Sequence, residues 1–150
     1  MYSSYPDVKY FKVIPVSPSK ELILVRLGYR KGVTELDSNY LSLLNKGIKK
    51  GSTLCRPAGA YTRISIVERS GEFIKLENGI EFRDSGLLRL LENSREVVLM
   101  ASTVGKKIVE VIYDEVKKGD AAMGLILDST ASQTADAVLD WMMAFINRIL

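Results

Sequence analysis

The segment from Asp120 to Leu150 constrains the fold most, because it carries one continuous helical pattern. Asp120 stands where a helix N-cap is expected. Apolar residues then recur at steps of three and four: Met123, Leu127, Ala131, Ala135, Val138, Met142 and Phe145. Such spacing is typical of a helix with one buried stripe. The pattern predicts a single long helix that runs to the end of the chain.

The middle of the chain has the character of antiparallel strands. Ala60–Glu68 is rich in β-branched residues and alternates in part. Phe73–Leu76 and Ile80–Phe82 flank Asn78-Gly79, and Asn-Gly is a strong hairpin signal. These segments predict a meander of three strands. Glu96–Ala101 is a short apolar run that predicts a further, buried strand.

Helix signals stand on both sides of these strands. The expected caps are Ser19, Thr34 or Asp37, Asp84 or Ser85, and Gly105. In the second helix, Gly47 and Gly51 are expected to weaken the last turns. Lys9–Val16 predicts an extended segment, and an edge strand is one form it can take, since Pro15 cannot donate to a ladder. We therefore expect one α+β domain over residues 1–150, a mostly antiparallel sheet with helices at both ends.

Composition excludes several classes of function. The chain has no histidine and one cysteine, Cys55, which removes the commonest general base, the usual nucleophile pairs and most metal sites. No apolar run is long enough to cross a membrane, and the N-terminus lacks a secretory signal, so we expect a cytoplasmic protein. The net charge is +3, with lysine pairs that are typical of solvated helix faces, which predicts no nucleic-acid partner.

A polar ridge on the predicted last helix is the most unusual surface. Ser129, Ser132 or Gln133, Asp136 and Asp140 follow one another at steps of three and four. Two aspartates at i and i+4 repel each other, and a cation between them would relieve the repulsion. That cation is either a neighbouring Lys or Arg, or the amino group of a bound ligand. An ordinary solvated face is the alternative interpretation.

Three other features carry weaker signals. Arg56 follows Cys55 and would lower its thiol pKa, although a lone cysteine is more often inert and half-buried. Ala101–Gly105 leads from a strand to a helix N-terminus, which attracts anions, but a simple capped turn explains it better. The end of the chain, Trp141–Leu150, is apolar on nearly every side. It predicts an oligomer, or docking through the C-terminal helix onto a partner.

Four segments in register resemble one family, the reactivation (activation) domain of vitamin B12-dependent methionine synthase, in its free-standing short form. They are Leu24–Arg30 with its Leu-Gly-Tyr-Arg signature, Cys55–Ile66, Glu96–Gly105 and Gly119–Asp140. The resemblance covers about residues 20–142. It implies an α+β domain that binds S-adenosylmethionine beside a corrinoid. The family's Arg-x-x-x-Gly-Tyr loop follows the long helix, so the chain is expected to be truncated before it.

The resemblance also implies a function and a site. A glutamate on the family's long helix contacts the amino group of S-adenosylmethionine, and Asp136 is in the matching place, one methylene shorter. Asp140 is a weaker second candidate. The chain is then at most an accessory part of a methyltransferase, whose chemistry belongs to S-adenosylmethionine and to cobalamin held by a partner. The expected partner is a corrinoid protein or methionine synthase subunit. The alternative is a non-catalytic interaction subunit on the same scaffold.

Overall fold

Most of the predicted strands and helices are present in a computed structural model, which describes residues 7–150, but the strand that begins at Glu96 is buried only at Val97 rather than along its length. The elements in chain order are β1 (Lys9–Phe11), α1 (Lys20–Arg26), α2 (Ser38–Leu54), β2 (Ala58–Arg69), β3 (Ile74–Leu76), β4 (Glu81–Phe82), α3 (Ser85–Leu90), β5 (Glu96–Thr103), α4 (Lys106–Lys117) and α5 (Ala121–Ile149). The predicted α+β class is confirmed.

The described residues form two units. The first, residues up to Tyr10 together with Ala60–Ala101, contains most of the sheet. Its strands are ordered β1-β2-β3-β4, and β5 also pairs with β2. The β2–β3 and β3–β4 pairs are antiparallel, with Ile74 opposite Phe82 in the second. The predicted meander is therefore present, with a bulge in β2 between Ile66 and Glu68.

One side of this sheet is closed by an apolar cluster. Its buried members are Ile64, Ile74, Leu76 and Val97, packed by half-buried side chains that include Leu88 and Leu91 near α3. The alternation in β3, with Ile74 and Leu76 buried around a half-buried Lys75, is that of a strand with one face against a core. Asp84 caps α3 by accepting from the N–H of Leu87.

The second unit, Phe11–Gly59 with Ser102–Leu150, is helical. Asp37 and Asp120 cap α2 and α5, accepting from the N–H groups of Tyr40 and Met123 at 2.7 and 3.0 Å. Along α5 the predicted stripe is buried at Met123, Leu127, Ala131, Val138 and Met142, and half-buried at Ala135 and Phe145. Within residues 7–150, none of the helices combines the length and apolar character needed to span a bilayer.

The two glycines of α2 were expected to weaken it, but they are where α2 meets α5. Both are buried, and a Cβ on Gly47 would lie 2.4 Å from Ile126 Cγ2. A Cβ on Gly51 would lie 2.9 Å from Thr130 Cγ2. Because the glycines are four residues apart on one face, they let the helix backbones approach closely. Their cost in helix propensity is offset by packing.

The apolar end of α5 is covered in part by this chain itself. Ile14 is buried against Val138 and Met142. The Phe11 ring lies edge-on to Trp141, with centroids 5.1 Å apart, and to Phe145. The predicted edge strand therefore stops at Phe11, and the chain continues as an extended segment in which Ile14 N–H donates to Pro57 O. This cover weakens the argument for docking through the C-terminal helix.

A charged network joins α2 to α4. The side chain of Glu115 is only 10% exposed, and its Oε1 lies 2.6 Å from Lys50 Nζ and 3.8 Å from Lys118 Nζ. The hydrogen bond from Lys50 is the main reason why the pKa of Glu115 lies below its ordinary value. The charges of the two lysines add to this effect, and burial opposes it.

Glu115→Gln is expected to destabilise the protein at neutral pH and to change how stability depends on pH. Because the pKa of Glu115 is lower in the folded chain, its contribution is complete above the ordinary pKa of the unfolded chain. It is lost as pH falls through the folded value. Melting temperatures between pH 7 and pH 2.5 should fall more steeply for the wild type than for the variant. Glu110→Gln, an exposed change on the same helix, should retain the wild-type slope; parallel curves for wild type and Glu115→Gln would contradict this.

Candidate functional site

The candidate site lies where the short helix α1 packs on α5. Ser19 caps α1, and Ile23 is fully buried against Leu44 and Ile126. This anchor fixes which face of α1 meets α5. Arg26, three residues further, then lies on the adjoining face and reaches the polar residues of α5.

Arg26 bridges two residues of the predicted ridge. Its Nη2 donates to Asp136 Oδ2 in a short ion pair, and its Nε donates to Gln133 Oε1 at 3.4 Å. The side chains of Arg26 and Asp136 are 39% and 52% exposed. The pair is therefore open to solvent, and as a surface ion pair it contributes little to stability.

The cation expected beside Asp136 is thus present, and it comes from the chain. The neighbouring-arginine alternative accounts for Asp136. Asp140 is also exposed but makes no ion pair within the described part of the chain. Of the two candidate residues, the structure gives a partner only to Asp136.

The ridge is not one continuous solvated face, which corrects the sequence interpretation. Ser129 and Gln133 are buried, whereas Asp136 and Asp140 are exposed. Helices α1, α2 and α4 all pack on α5, so several of its sides are enclosed at once. Among the enclosed polar residues, Thr130 and Thr134 donate to the carbonyl groups four residues earlier.

Arg26 was missed as a site residue at the sequence level, although a signal existed. The helical spacing of Ile23 and Leu27 identifies the buried face of α1, and Arg26 borders that face. The sequence does not show against which helix this face packs.

A cleft of about 310 Å³ lies at the join of α1 and α2, with a lining that includes Leu24, Tyr29, Glu35 and Tyr40. Part of its lining is the turn that follows α1. Gly28, at φ +89°, ends α1 with the Tyr29 N–H bonded to Leu24 O, an arrangement that glycine favours. Asp37 already serves as the cap of α2. The lining thus combines apolar and aromatic side chains with two carboxylates, Glu35 and Asp37.

Cys55 and the turn before α4, two of the weaker candidates, are explained by their structural surroundings. Cys55 is buried, and burial raises the pKa of its thiol, while the nearby hydroxyl of Thr134 and the charge of Arg56 lower it in part. The inert interpretation of this residue therefore agrees with its surroundings. At the start of α4, Thr103 Oγ1 accepts from the Gly105 N–H, as in a capped turn. No cluster of potential metal ligands occurs among residues 7–150.

The fold and this site define an α+β protein in which Arg26 of α1 forms an exposed ion pair with Asp136 of the long helix α5. No protein-family model matches the chain, and no curated protein matches it significantly in sequence.

Among solved structures, the chain is similar to the MetH reactivation domain, in a crystal structure bound to AdoHcy. The TM-score is 0.56 and the sequence identity is 13%. The similarity covers 95% of this chain and 57% of that one, so the chain spans a little over half of the neighbour's length. At this identity the likeness establishes the fold.

Proposed function

We propose that this protein binds S-adenosylmethionine or its product S-adenosylhomocysteine and acts with a corrinoid-carrying methyltransferase. The observation that carries the proposal is the fold, since a neighbour similar over 95% of the chain is a reactivation domain bound to AdoHcy. Function resides in the site rather than the fold, so the proposal also needs residues suited to this ligand.

Asp136 supplies the first such group. Its carboxylate is exposed on α5, and a carboxylate is the natural partner of the ligand's ammonium group. Arg26 donates to Asp136 through Oδ2 alone. Because the ion pair is on the surface, it can rearrange at a small cost in free energy. Bound S-adenosylmethionine would supply the methyl group. The chain's own residues bind and orient the ligand, while the corrinoid belongs to a partner, a methionine synthase subunit or another corrinoid protein.

Calorimetric titration of the whole chain with S-adenosylmethionine and with S-adenosylhomocysteine tests this proposal. The wild type is expected to bind, and Asp136→Asn to bind at least tenfold more weakly, because one charge-assisted hydrogen bond is lost. Asp140→Asn should cause a smaller loss, since Asp140 is not held beside Arg26.

The matched control is Asp128→Asn, an exposed aspartate on the same helix, which should leave the affinity within about threefold of wild type. Each variant is compared by circular dichroism to show that it is folded. Absence of wild-type binding at millimolar ligand would contradict the proposal.

A non-catalytic interaction subunit is the second candidate function. One observation favours it: Val109, Tyr113 and Val116 are 44%, 65% and 53% exposed on α4. Their spacing of four and three residues places them in one apolar strip. A wild-type chain that associates with a corrinoid protein but binds neither ligand, and that loses the association on Tyr113→Glu, would favour this candidate over the first.

A further inference from the structure

The Arg26–Asp136 pair places a cation and an anion side by side on an open surface. The recorded contact uses one atom of each group, Nη2 and Oδ2. Within the described residues, Arg26 Nη1 and Asp136 Oδ1 make no hydrogen bond. Both groups therefore keep hydrogen-bonding capacity toward a further molecule.

We propose that Arg26 binds the α-carboxylate of an amino-acid headgroup while Asp136 binds its α-ammonium group. This inference rests on the proposed function and assigns to Arg26 the specificity for the amino-acid end of the ligand. A zwitterionic headgroup carries its two charges on substituents of one carbon, so adjacent receptors of opposite charge are complementary to it. The planar guanidinium is the side chain best suited to hold a carboxylate.

Arg26 is held in place by more than Asp136. Gln133, only 8% exposed, accepts from Arg26 Nε, so the guanidinium stays over α5 when the carboxylate of Asp136 turns to a ligand. Arg26 Nη1 makes no hydrogen bond within the described residues, and Nη2 is released to the incoming carboxylate when Asp136 turns to the ammonium group.

A purely structural role for the pair is not required by the fold. Helix α1 is attached to α5 through Ile23, which is fully buried, and its N-terminus is capped by Ser19. The ion pair itself is half-exposed and contributes little to holding the helices together. Arg26 can therefore be replaced without loss of the fold.

The test compares S-adenosylmethionine with its decarboxylated analogue, which keeps the ammonium group and lacks the carboxylate. Calorimetry on the wild type should give an affinity at least tenfold higher for S-adenosylmethionine. Arg26→Gln should abolish this difference by lowering the affinity for S-adenosylmethionine alone. Arg26→Lys keeps the charge and should restore part of it. Arg89→Gln removes the same charge from an exposed position on α3 and should behave as wild type.

The outcomes separate this inference from the proposed function. If the wild type binds both compounds equally, or if Arg26→Gln keeps the preference, Arg26 does not recognise the carboxylate and the proposed function stands. If Arg26→Gln binds both compounds more tightly than wild type, Arg26 competes with the ligand for Asp136, and the inference is wrong. If the wild type binds neither compound, the proposed function itself fails.

Discussion

Leu127→Ala is expected to lower the free energy of unfolding by about 3 kcal/mol, within the range seen for leucine truncation in protein cores. Leu127 is fully buried in a cluster in which it and its α5 neighbours Met123 and Ala131 pack with Cys55 and Ile108. Truncation removes the transfer free energy of the side chain and leaves a cavity that helices packed from several sides cannot readily close. Urea unfolding monitored by circular dichroism measures the effect.

The same helix provides the control for this substitution. Leu125 is 57% exposed, so Leu125→Ala should change the free energy of unfolding by no more than about 0.5 kcal/mol. Equal losses from the two alanine variants would mean that the solution structure does not bury the face of α5 that carries Leu127.

Gly47→Ala is expected to cost about 2 kcal/mol, although alanine favours helix formation. Overpacking a close helix contact costs about 1–3 kcal/mol, and the 2.4 Å approach to Ile126 Cγ2 places this site at the upper end. The gain in helix propensity, about 1 kcal/mol, offsets only part of it. Thermal or urea unfolding of the variant gives the difference from wild type.

A double-mutant cycle with Ile126→Ala identifies the cause of the loss at Gly47. Because Ile126→Ala removes Cγ2, the double variant should lose less stability than the sum of the two single variants. Gly71→Ala is the matched control, since a Cβ at Gly71 meets nothing within 4 Å. A strictly additive cycle would exclude the contact with Ile126 as the source of the effect.

Local signals in the sequence were sufficient for most elements of the fold. Ser19 and Asp120 cap their helices as predicted, and Asp37 and Asp84 are the caps among the two pairs of alternatives, because a cap is decided within three or four residues. The Asn78-Gly79 hairpin is local in the same sense, with Gly79 at φ +88°.

The features that the sequence interpretation missed depend on contacts between distant residues. Gly47 looks like a weak point in a helix until Ile126, far along the chain, is placed against it. Within the predicted extended segment Lys9–Val16, the strand ends at Phe11 because the following residues pack on α5. Asp136 was singled out by its neighbours on one helix face, but Arg26 comes from the other end of the chain. Spacing identifies faces of elements, and it does not identify which faces meet.

The burial of Cys55 has a practical consequence for following the motions of this protein. As the only thiol in the chain, it lies within the helical core with its pKa raised by burial, so it reacts as a thiolate only when that core opens. Its rate of modification under native conditions therefore reports the opening equilibrium of the α2–α4–α5 packing directly. The local stability of each variant can then be measured without denaturant and without an engineered cysteine.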